Sequence, residues 1–454
     1  MKPILRHVAL LLLTPLASLR AAEAPATTKK PNILLIYADD LGYGELGCYG
    51  LKEVPTPHID SIAANGIRFT SGYVSAPLCS PSRAGLMTGR YQTRFGHENN
   101  GMAPCKGLPL GEATLANRMK ALGYATAAVG KWHLGNAPEF LPMKRGFDEY
   151  FGVAFNPGSY FTPNGFIDSR VSTDVQTVTD KDFYATDAFG ARAADWIDKH
   201  KDGPWFLYLP FNAVHKPYEA SEKYQKRFAH IADPERRRFD GLLSAMDDAV
   251  GLVTDKVREL KLEEDTLIFF ISDNGAPGGR DGNGVLRGEK YGTWEGGVRL
   301  PWMVQWKGKL PAGKVSDLPV STLDVMPTCV SVAGAAVDAA WKLDGVNLLP
   351  YLLGEKQGRP HETLCWRIDG MWAIRHGDMK LVRGDAKGPV ELFDLAADVG
   401  EKNDLSEKQP EKVKELQSLF DQWSAGQATP SVGKDKEKKK LKRKELKGKT
   451  KEKR

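Results

Sequence analysis

Asn32-Ile33-Leu34-Leu35-Ile36-Tyr37, followed by Ala38-Asp39-Asp40, is an apolar run that ends on two adjacent carboxylates. Continuous apolarity, rather than alternation, marks a strand buried on both faces of a sheet. Three further runs have the same character: Tyr124-Ala125-Thr126-Ala127-Ala128-Val129, Trp205-Phe206-Leu207-Tyr208-Leu209 and Thr266-Leu267-Ile268-Phe269-Phe270-Ile271. Helical stretches separate them, so the sequence predicts an α/β fold with a large, mainly parallel sheet sandwiched by helices. Unusual polar residues follow each run: Asp39-Asp40, Lys131-Trp132-His133, His215 and Asp273-Asn274. Open α/β sheets bind ligands beyond the carboxyl ends of their strands. Four such ends carrying acids, an amide, a lysine and histidines therefore point to one shared site.

The α/β pattern is expected over residues 31–354. After Gly358 the character changes. Thr363–Arg367, Met371–Arg375, Met379–Arg383 and Glu391–Leu395 are short strand candidates split by Gly or Asp, and they predict a small antiparallel sheet. Pro410–Trp423 has helical spacing, with Val413, Leu416, Leu419, Phe420 and Trp423 on one face. Together these make a small C-terminal α+β subdomain over residues 358–426. Residues 1–22 read as a signal peptide: Lys2, Arg6 and His7 precede the apolar Val8–Leu13, and Ala17, Ala21 and Ala22 offer small residues for cleavage. The apolar run is too short to span a bilayer, and no later segment reads as transmembrane. The expected location is periplasmic or extracellular.

The net charge of +6 misleads as a whole-chain value. Lys434–Arg454 holds 13 Lys/Arg and 4 Asp/Glu, a net of +9 that leaves the rest of the chain at −3. Residues 431–454 are read as a basic, disordered, solvated tail, so the charge is no ground for a nucleic-acid-binding function. Five cysteines are few for an exported chain of 454 residues. Apart from Cys79, the residues Cys48, Cys105, Cys329 and Cys365 allow two disulfides in three connectivities, or none.

Asp39, Asp40, Asp273 and Asn274 are hard oxygen donors, which suit Ca²⁺ or Mg²⁺ better than a soft metal. A single Asp-Asp pair after a strand is usually a turn or a cap; a second acidic strand end weakens that reading. Cys79-Ser80-Pro81-Ser82-Arg83 stands just before a helix onset expected at Ser82, where free N–H groups and the positive end of the helix dipole favour attack on an anion. Lys131, His133, His215 and Lys290 supply positive charge and candidate proton donors. Transfer of an anionic group needs both.

These stretches match a family pattern. Asn32–Gly42, the C-x-P-x-R stretch Cys79–Arg83, Gly130-Lys131-Trp132-His133-Leu134-Gly135, Ser272-Asp273-Asn274-Gly275 and Lys290–Arg299 resemble the type I, formylglycine-dependent sulfatases of the alkaline-phosphatase-like superfamily. The resemblance runs from Pro31 to Leu405 and includes the closing Leu392–Leu395 and Gly400–Leu405. It implies that a maturation enzyme converts Cys79 to formylglycine. One hydroxyl of the hydrated aldehyde attacks the sulfate ester, and the other expels the bound sulfate. It implies Ca²⁺ on Asp39, Asp40, Asp273, Asn274 and the modified Cys79, with Arg83 supporting the formylglycine. Lys131, His215 and Lys290 would contact the sulfate, His133 would help regenerate the aldehyde, and His215 or Lys290 would protonate the leaving alcohol. The implied substrate is a sulfated carbohydrate, with His97–Asn100 and the Asn274–Gly297 loop lining its pocket. The rival readings are a phosphonate monoester or phosphodiester hydrolase of the same superfamily, and a catalytically silent glycan-binding homologue with unmodified Cys79. The absence of histidine from the expected metal set disfavours the first.

Overall fold

Side chains alternate strictly across the Asn32–Ala38 strand of the computed structural model, which describes residues 29–100, 107–156 and 158–429. Leu34, Ile36 and Ala38 enter one apolar cluster, while Ile33, Leu35 and Tyr37 enter another on the opposite face. Burial on both sides is what the unbroken apolar run requires. The segment 1–22, the basic tail 431–454 and Cys105 lie outside the described residues.

This strand sits in a nine-stranded sheet. Its neighbours are Thr266–Ser272 and Trp205–Pro210, both parallel to it. Ala125–Lys131 pairs in parallel with Trp205–Pro210, and Glu149–Val153 with Ala125–Lys131. The four strands expected from sequence thus form the centre of the sheet, side by side. Antiparallel pairings appear only towards the edges, where Trp302–Gln305 joins Thr266–Ser272 and Phe166–Asp168 joins Glu149–Val153. Ile67–Phe69 and Lys314–Ser316 complete the sheet beyond Trp302–Gln305. These edge strands are short, and their apolar content does not distinguish them from loops. Pairing register selects them.

Helices cover both faces. Ala185–His200 and Pro234–Glu259 pack on the Leu34 side. The second starts cleanly because Pro234 occupies its first turn and the Asp233 carboxylate accepts the Glu235 N–H. Cys79–Thr88, Leu115–Ala121 and Val325–Val332 pack on the Ile33 side.

The C-terminal strands Thr363–Ile368, Met371–His376, Met379–Arg383 and Glu391–Asp394 form an antiparallel sheet in sequence order, as expected. One face packs against Tyr73, Val298 and Leu300 of the large sheet's periphery. The other receives the Pro410–Ala425 helix through Leu416 and Phe420, with Val413, Leu419 and Trp423 at the margin of the same cluster. Phe420 stacks on Trp372 with ring centroids 4.2 Å apart. Cys48, Cys79, Cys329 and Cys365 are free thiols. Among the described residues no helix is long and apolar enough to cross a membrane.

Candidate active site

Backbone hydrogen bonds continue past the ends of the central strands and draw their polar residues together. Asp39 N–H donates to Ala213 O at 2.9 Å, Val214 N–H to Asp39 O at 2.8 Å, and Asp273 N–H to Ala38 O at 3.0 Å. Asp40 then takes a left-handed conformation, with φ of 61°, which aspartate tolerates better than most residues. Its N–H reaches Asp273 Oδ1 at 3.0 Å. The chain after Asp273-Asn274 folds closely back: a side chain at Gly275 would drive its Cβ to 1.7 Å from Gly296 O. That approach brings the Lys290 segment to the same place.

The helix expected from Ser82 begins three residues earlier, and Cys79 is its first residue. Pro81 falls in the first turn, where its missing N–H leaves no helical hydrogen bond unmade. All residues of this helix are buried. Cys79 Sγ lies 3.7 Å from Asp40 Oδ1.

All the candidate residues converge here. Arg83 Nη2 donates to Asp273 Oδ2 at 2.8 Å and lies 3.6 Å from Asp39 Oδ1, while its Nη1 donates to Lys131 O at 2.9 Å. Lys131 Nζ pairs with Asp39 Oδ2. Lys290 Nζ donates to Asp40 Oδ1 at 2.5 Å, and Asn274 Nδ2 donates to the same oxygen at 2.7 Å. His215 Nε2 stands 3.7 Å from Asp40 Oδ2. His215 Nδ1 bonds the Lys216 carbonyl, and a carbonyl only accepts. Nδ1 therefore carries the proton and Nε2 is the nitrogen facing the acids. His133 is buried, again with a left-handed backbone (φ 59°), and its ring meets Phe155 edge-on at 4.9 Å.

The electrostatics follow from burial and from this packing of opposite charges. Burial opposes ionisation of Asp39, but Lys131, His215 and Arg83 hold its carboxyl well below the usual range. Burial and the Asp39 charge push Asp273 up to about 7, against Arg83. Burial, then Asp273 and Asp39, push the Cys79 thiol well above its ordinary value, so the thiol stays protonated and is a poor nucleophile as such. Burial and Lys131 lower both His133 and His215. Burial works against the Lys290 ammonium, but the Asp40 and Asp39 carboxylates keep it above its ordinary range.

Asp39, Asp40, Cys79 and Asp273 present donor atoms within 4.8 Å of one another. Asp39 Oδ1 and Asn274 Oδ1 are buried with no hydrogen-bond partner. Buried oxygens are rarely left so, and two orphaned hard donors beside two more carboxylates fit an oxygen-seeking divalent cation such as Ca²⁺. With three Asp against Arg83, Lys131 and Lys290, the side chains alone balance; a bound dication leaves the site positive towards an anionic ester.

Other neighbours carry no local sequence signal. Arg280 Nη2 donates to Asp40 O at 2.7 Å and to Glu45 Oε2 at 3.0 Å. Ser80 Oγ donates to His133 O at 2.7 Å and bonds His97 Nε2 at 2.7 Å. Tyr160 OH donates to Asn212 O and His215 O, at 2.6 and 2.9 Å. The expectation that His97–Asn100 line the pocket needs correction. Asn100 Oδ1 accepts the Ser80 N–H at 3.0 Å, and buried Glu98 pairs with Arg367 of the C-terminal sheet at 2.7 Å. With His97 on the Ser80 hydroxyl, these residues brace the start of the Cys79–Thr88 helix.

Comparison with known proteins agrees with the geometry. The family model described as Sulfatase matches residues 31–335. N-acetylgalactosamine-6-sulfatase of Canis lupus familiaris is 36% identical over 405 residues, covering 82% of this chain and 74% of that protein. Arylsulfatase A of Bos taurus is 35% identical over 469 residues, covering 90% and 91%. Among solved structures, that of Ps i-CgsB superposes with a TM-score of 0.80 at 33% identity, covering 89% of this chain and 94% of that one. It has also been solved in complex with k-i-k-neocarrahexaose. A similarity this long, over an α/β sheet whose strand ends gather acids, lysines, histidines and a cysteine, leaves one conclusion: the chain belongs to the sulfatase family, has its alkaline-phosphatase-like fold, and is a sulfatase.

Proposed function

We propose that this sulfatase is exported and removes sulfate from a carbohydrate, with Cys79 converted to formylglycine and Ca²⁺ held by Asp39, Asp40, Asp273 and Asn274. The observation that carries the reading is the pair of orphaned buried oxygens, Asp39 Oδ1 and Asn274 Oδ1, beside Cys79 at the start of a buried helix. The sugar substrate is supported by the names of relatives: an N-acetylgalactosamine-6-sulfatase and a structure solved with a neocarrahexaose.

The hydrated formylglycine supplies a nucleophilic hydroxyl and a second one that lets sulfate leave, and the cation supplies Lewis acidity towards the sulfate oxygens. The chain's own residues do the rest. Arg83 donates through Nε and Nη2 to Asp273 Oδ2 and so fixes one carboxylate of the metal set. Lys131 and Lys290 bring fixed cations to the sulfate, in a site where low solvent access strengthens them. His215 Nε2, when the ring is in its doubly protonated form, and Lys290 Nζ stand on the Asp40 side and are the two candidates to hand a proton to the departing alcohol. His133 keeps an unpartnered Nδ1 inside the site, available to accept a proton when the aldehyde is restored.

The test is co-expression with a formylglycine-generating enzyme. The Cys79 peptide should lose about 18 Da, sulfur being replaced by oxygen with loss of two hydrogens. Purified protein should carry one Ca²⁺, and Cys79→Ala should release no sulfate from any ester. Full activity in that variant would sink the mechanism.

A further inference from the structure

The leaving alcohol of a sulfate ester must depart next to whichever group protonates it, so the part of the substrate beyond the ester oxygen lies beside the loops that carry His215 and Lys290. A cavity of about 310 Å³ opens between continuations of those same two loops. Lys216 and Tyr218, just after His215, form one wall. Gly278, Gly279, Arg280 and Asp281, between Asn274 and Lys290, form another. The first turn of the Pro234–Glu259 helix closes it with Glu235 and Arg236. The cavity is tied to the catalytic cluster by direct bonds. Arg280 donates through Nη2 to the Asp40 carbonyl at 2.7 Å and through Nη1 to Tyr218 OH at 2.7 Å.

The chemistry of the walls differs from that of the sulfate site. Lys216, Arg236 and Arg280 are matched by Asp233, Glu235 and Asp281, so the lining has no net charge. Two of the bases are committed. Arg280 is spent on buried Glu45 at 2.6 Å, and Arg236 on buried Asp240 at 2.8 Å. The Lys216–Glu235 pair, at 3.0 Å, has both side chains more than half exposed. Such a pair contributes little to stability, and it can open to a ligand at small cost. A lining that mixes donors and acceptors suits sugar hydroxyls, each of which donates and accepts. With Arg280 and Arg236 already neutralised by Glu45 and Asp240, a second sulfate would meet Glu235, Asp233 and Asp281 against Lys216 alone and be repelled. At Gly279 nothing lies within 4 Å of where a side chain would begin, which admits a ring close to the backbone at that point.

We infer that this cavity is a leaving-group subsite that binds one uncharged sugar unit linked to the sulfated one, with Glu235 and Asp281 accepting its hydroxyls. The inference rests on the carbohydrate reading above and goes further, because it makes the enzyme selective for an unsulfated neighbour.

The test uses mature, calcium-loaded enzyme on three probes: 4-nitrophenyl sulfate, N-acetylgalactosamine 6-sulfate, and that sugar in a disaccharide with neutral galactose. Wild type should favour the disaccharide over the monosaccharide in kcat/KM. Glu235→Ala and Asp281→Ala should each lose about 10- to 100-fold on the disaccharide, the scale of a hydrogen bond to a charged group. That loss should fall mainly in KM, while activity on the aryl sulfate stays at the wild-type level. A disaccharide carrying a second sulfate on the galactose should be a poor substrate for wild type and a better one for Glu235→Ala. Hydrolysis of both sugars with no loss in either variant overturns the subsite and leaves the carbohydrate reading standing. Hydrolysis of the aryl sulfate alone by wild type overturns both.

Discussion

Two of the clusters of buried charge among the described residues differ in one respect. At the sheet's carboxyl edge, Asp39, Asp40 and Asp273 meet Arg83, Lys131 and Lys290. Behind the Lys290 loop, Glu295 and Glu401 meet Lys380, Arg299 and Arg375. In the second cluster every carboxylate oxygen has a donor or cation within 2.8 Å, Glu401 Oε1 through an ion-pair contact alone, whereas Asp39 Oδ1 has its nearest cation at 3.6 Å. Lys380 Nζ lies 2.8 Å from Glu295 Oε1 and 2.8 Å from Glu401 Oε1. Glu295 Oε2 accepts from Tyr73 OH at 2.7 Å and Arg299 at 3.1 Å, and Glu401 Oε2 accepts the Glu295 N–H at 2.7 Å. In the first cluster Asp39 Oδ1, Asn274 Oδ1 and His133 Nδ1 are left without hydrogen bonds. A closed network of buried charge fixes a structure; an open one of similar composition is shaped for something still to bind. The closed cluster joins the C-terminal sheet to the turn that follows Lys290, so it is the frame on which part of the open cluster is mounted.

That contrast can be broken by mutation. Among the residues around Cys79, the largest effect on turnover is expected for His215→Ala, about 10²–10⁴-fold for a sugar sulfate, the usual scale for a general acid. The loss should be smaller for a nitrophenyl sulfate, whose phenolate leaves without a proton. Equal losses on both substrates, measured as kcat, would remove His215 from the acid role and leave Lys290 in it.

Next comes Asn274→Ala. It removes an orphaned oxygen and strands no charge, so melting of the metal-free protein should barely change. Calcium affinity should fall at least roughly tenfold, since even residues behind a metal's ligands cost about that much. Calorimetric titration with Ca²⁺ checks it, and unaltered affinity would take Asn274 out of the metal set.

Lys380→Met should do the reverse. Stranding Glu295 and Glu401 in the interior costs about 3–5 kcal/mol, visible as a drop in Tm. Activity per folded molecule at low temperature should stay within a few-fold of wild type. A collapse of kcat with Tm unmoved would mean that the closed cluster takes part in the chemistry.

The smallest expected effect is one of pH. Burial opposes the charge on Glu295, but Lys380 and Arg299 hold its carboxyl down to about 2 from an ordinary 4.5. A folded-state value below the unfolded one adds stability that is complete above 4.5 and is lost as pH falls towards 2. The Tm gap between wild type and Glu295→Gln should therefore narrow on acidification below 4.5. A gap that widens there would contradict the pairing.

Much of this was legible in the chain itself. The four runs of unbroken apolarity could only be doubly buried strands, and the polar residues after them had to emerge at one edge of a parallel sheet. Pattern and composition were enough, because burial on both faces leaves no room for polar alternation. The C-terminal sheet and its amphipathic helix were equally readable, from short runs split by turn residues and from a 3.6-residue period. Tertiary structure decided the rest. The strands Glu149–Val153 and Trp302–Gln305 exist because a neighbour's free edge accepts them. Cys79 opens its helix, instead of preceding it, because Pro81 is harmless in a first turn. His97, Glu98 and Asn100 turned from the substrate's side to the support of Ser80 and Arg367, and Arg280 joined the site across 240 residues of sequence from Asp40. Such contacts depend on which loops return to the same edge of the sheet. The order of residues along a chain records the donors and acceptors, but their partners are set by long-range packing.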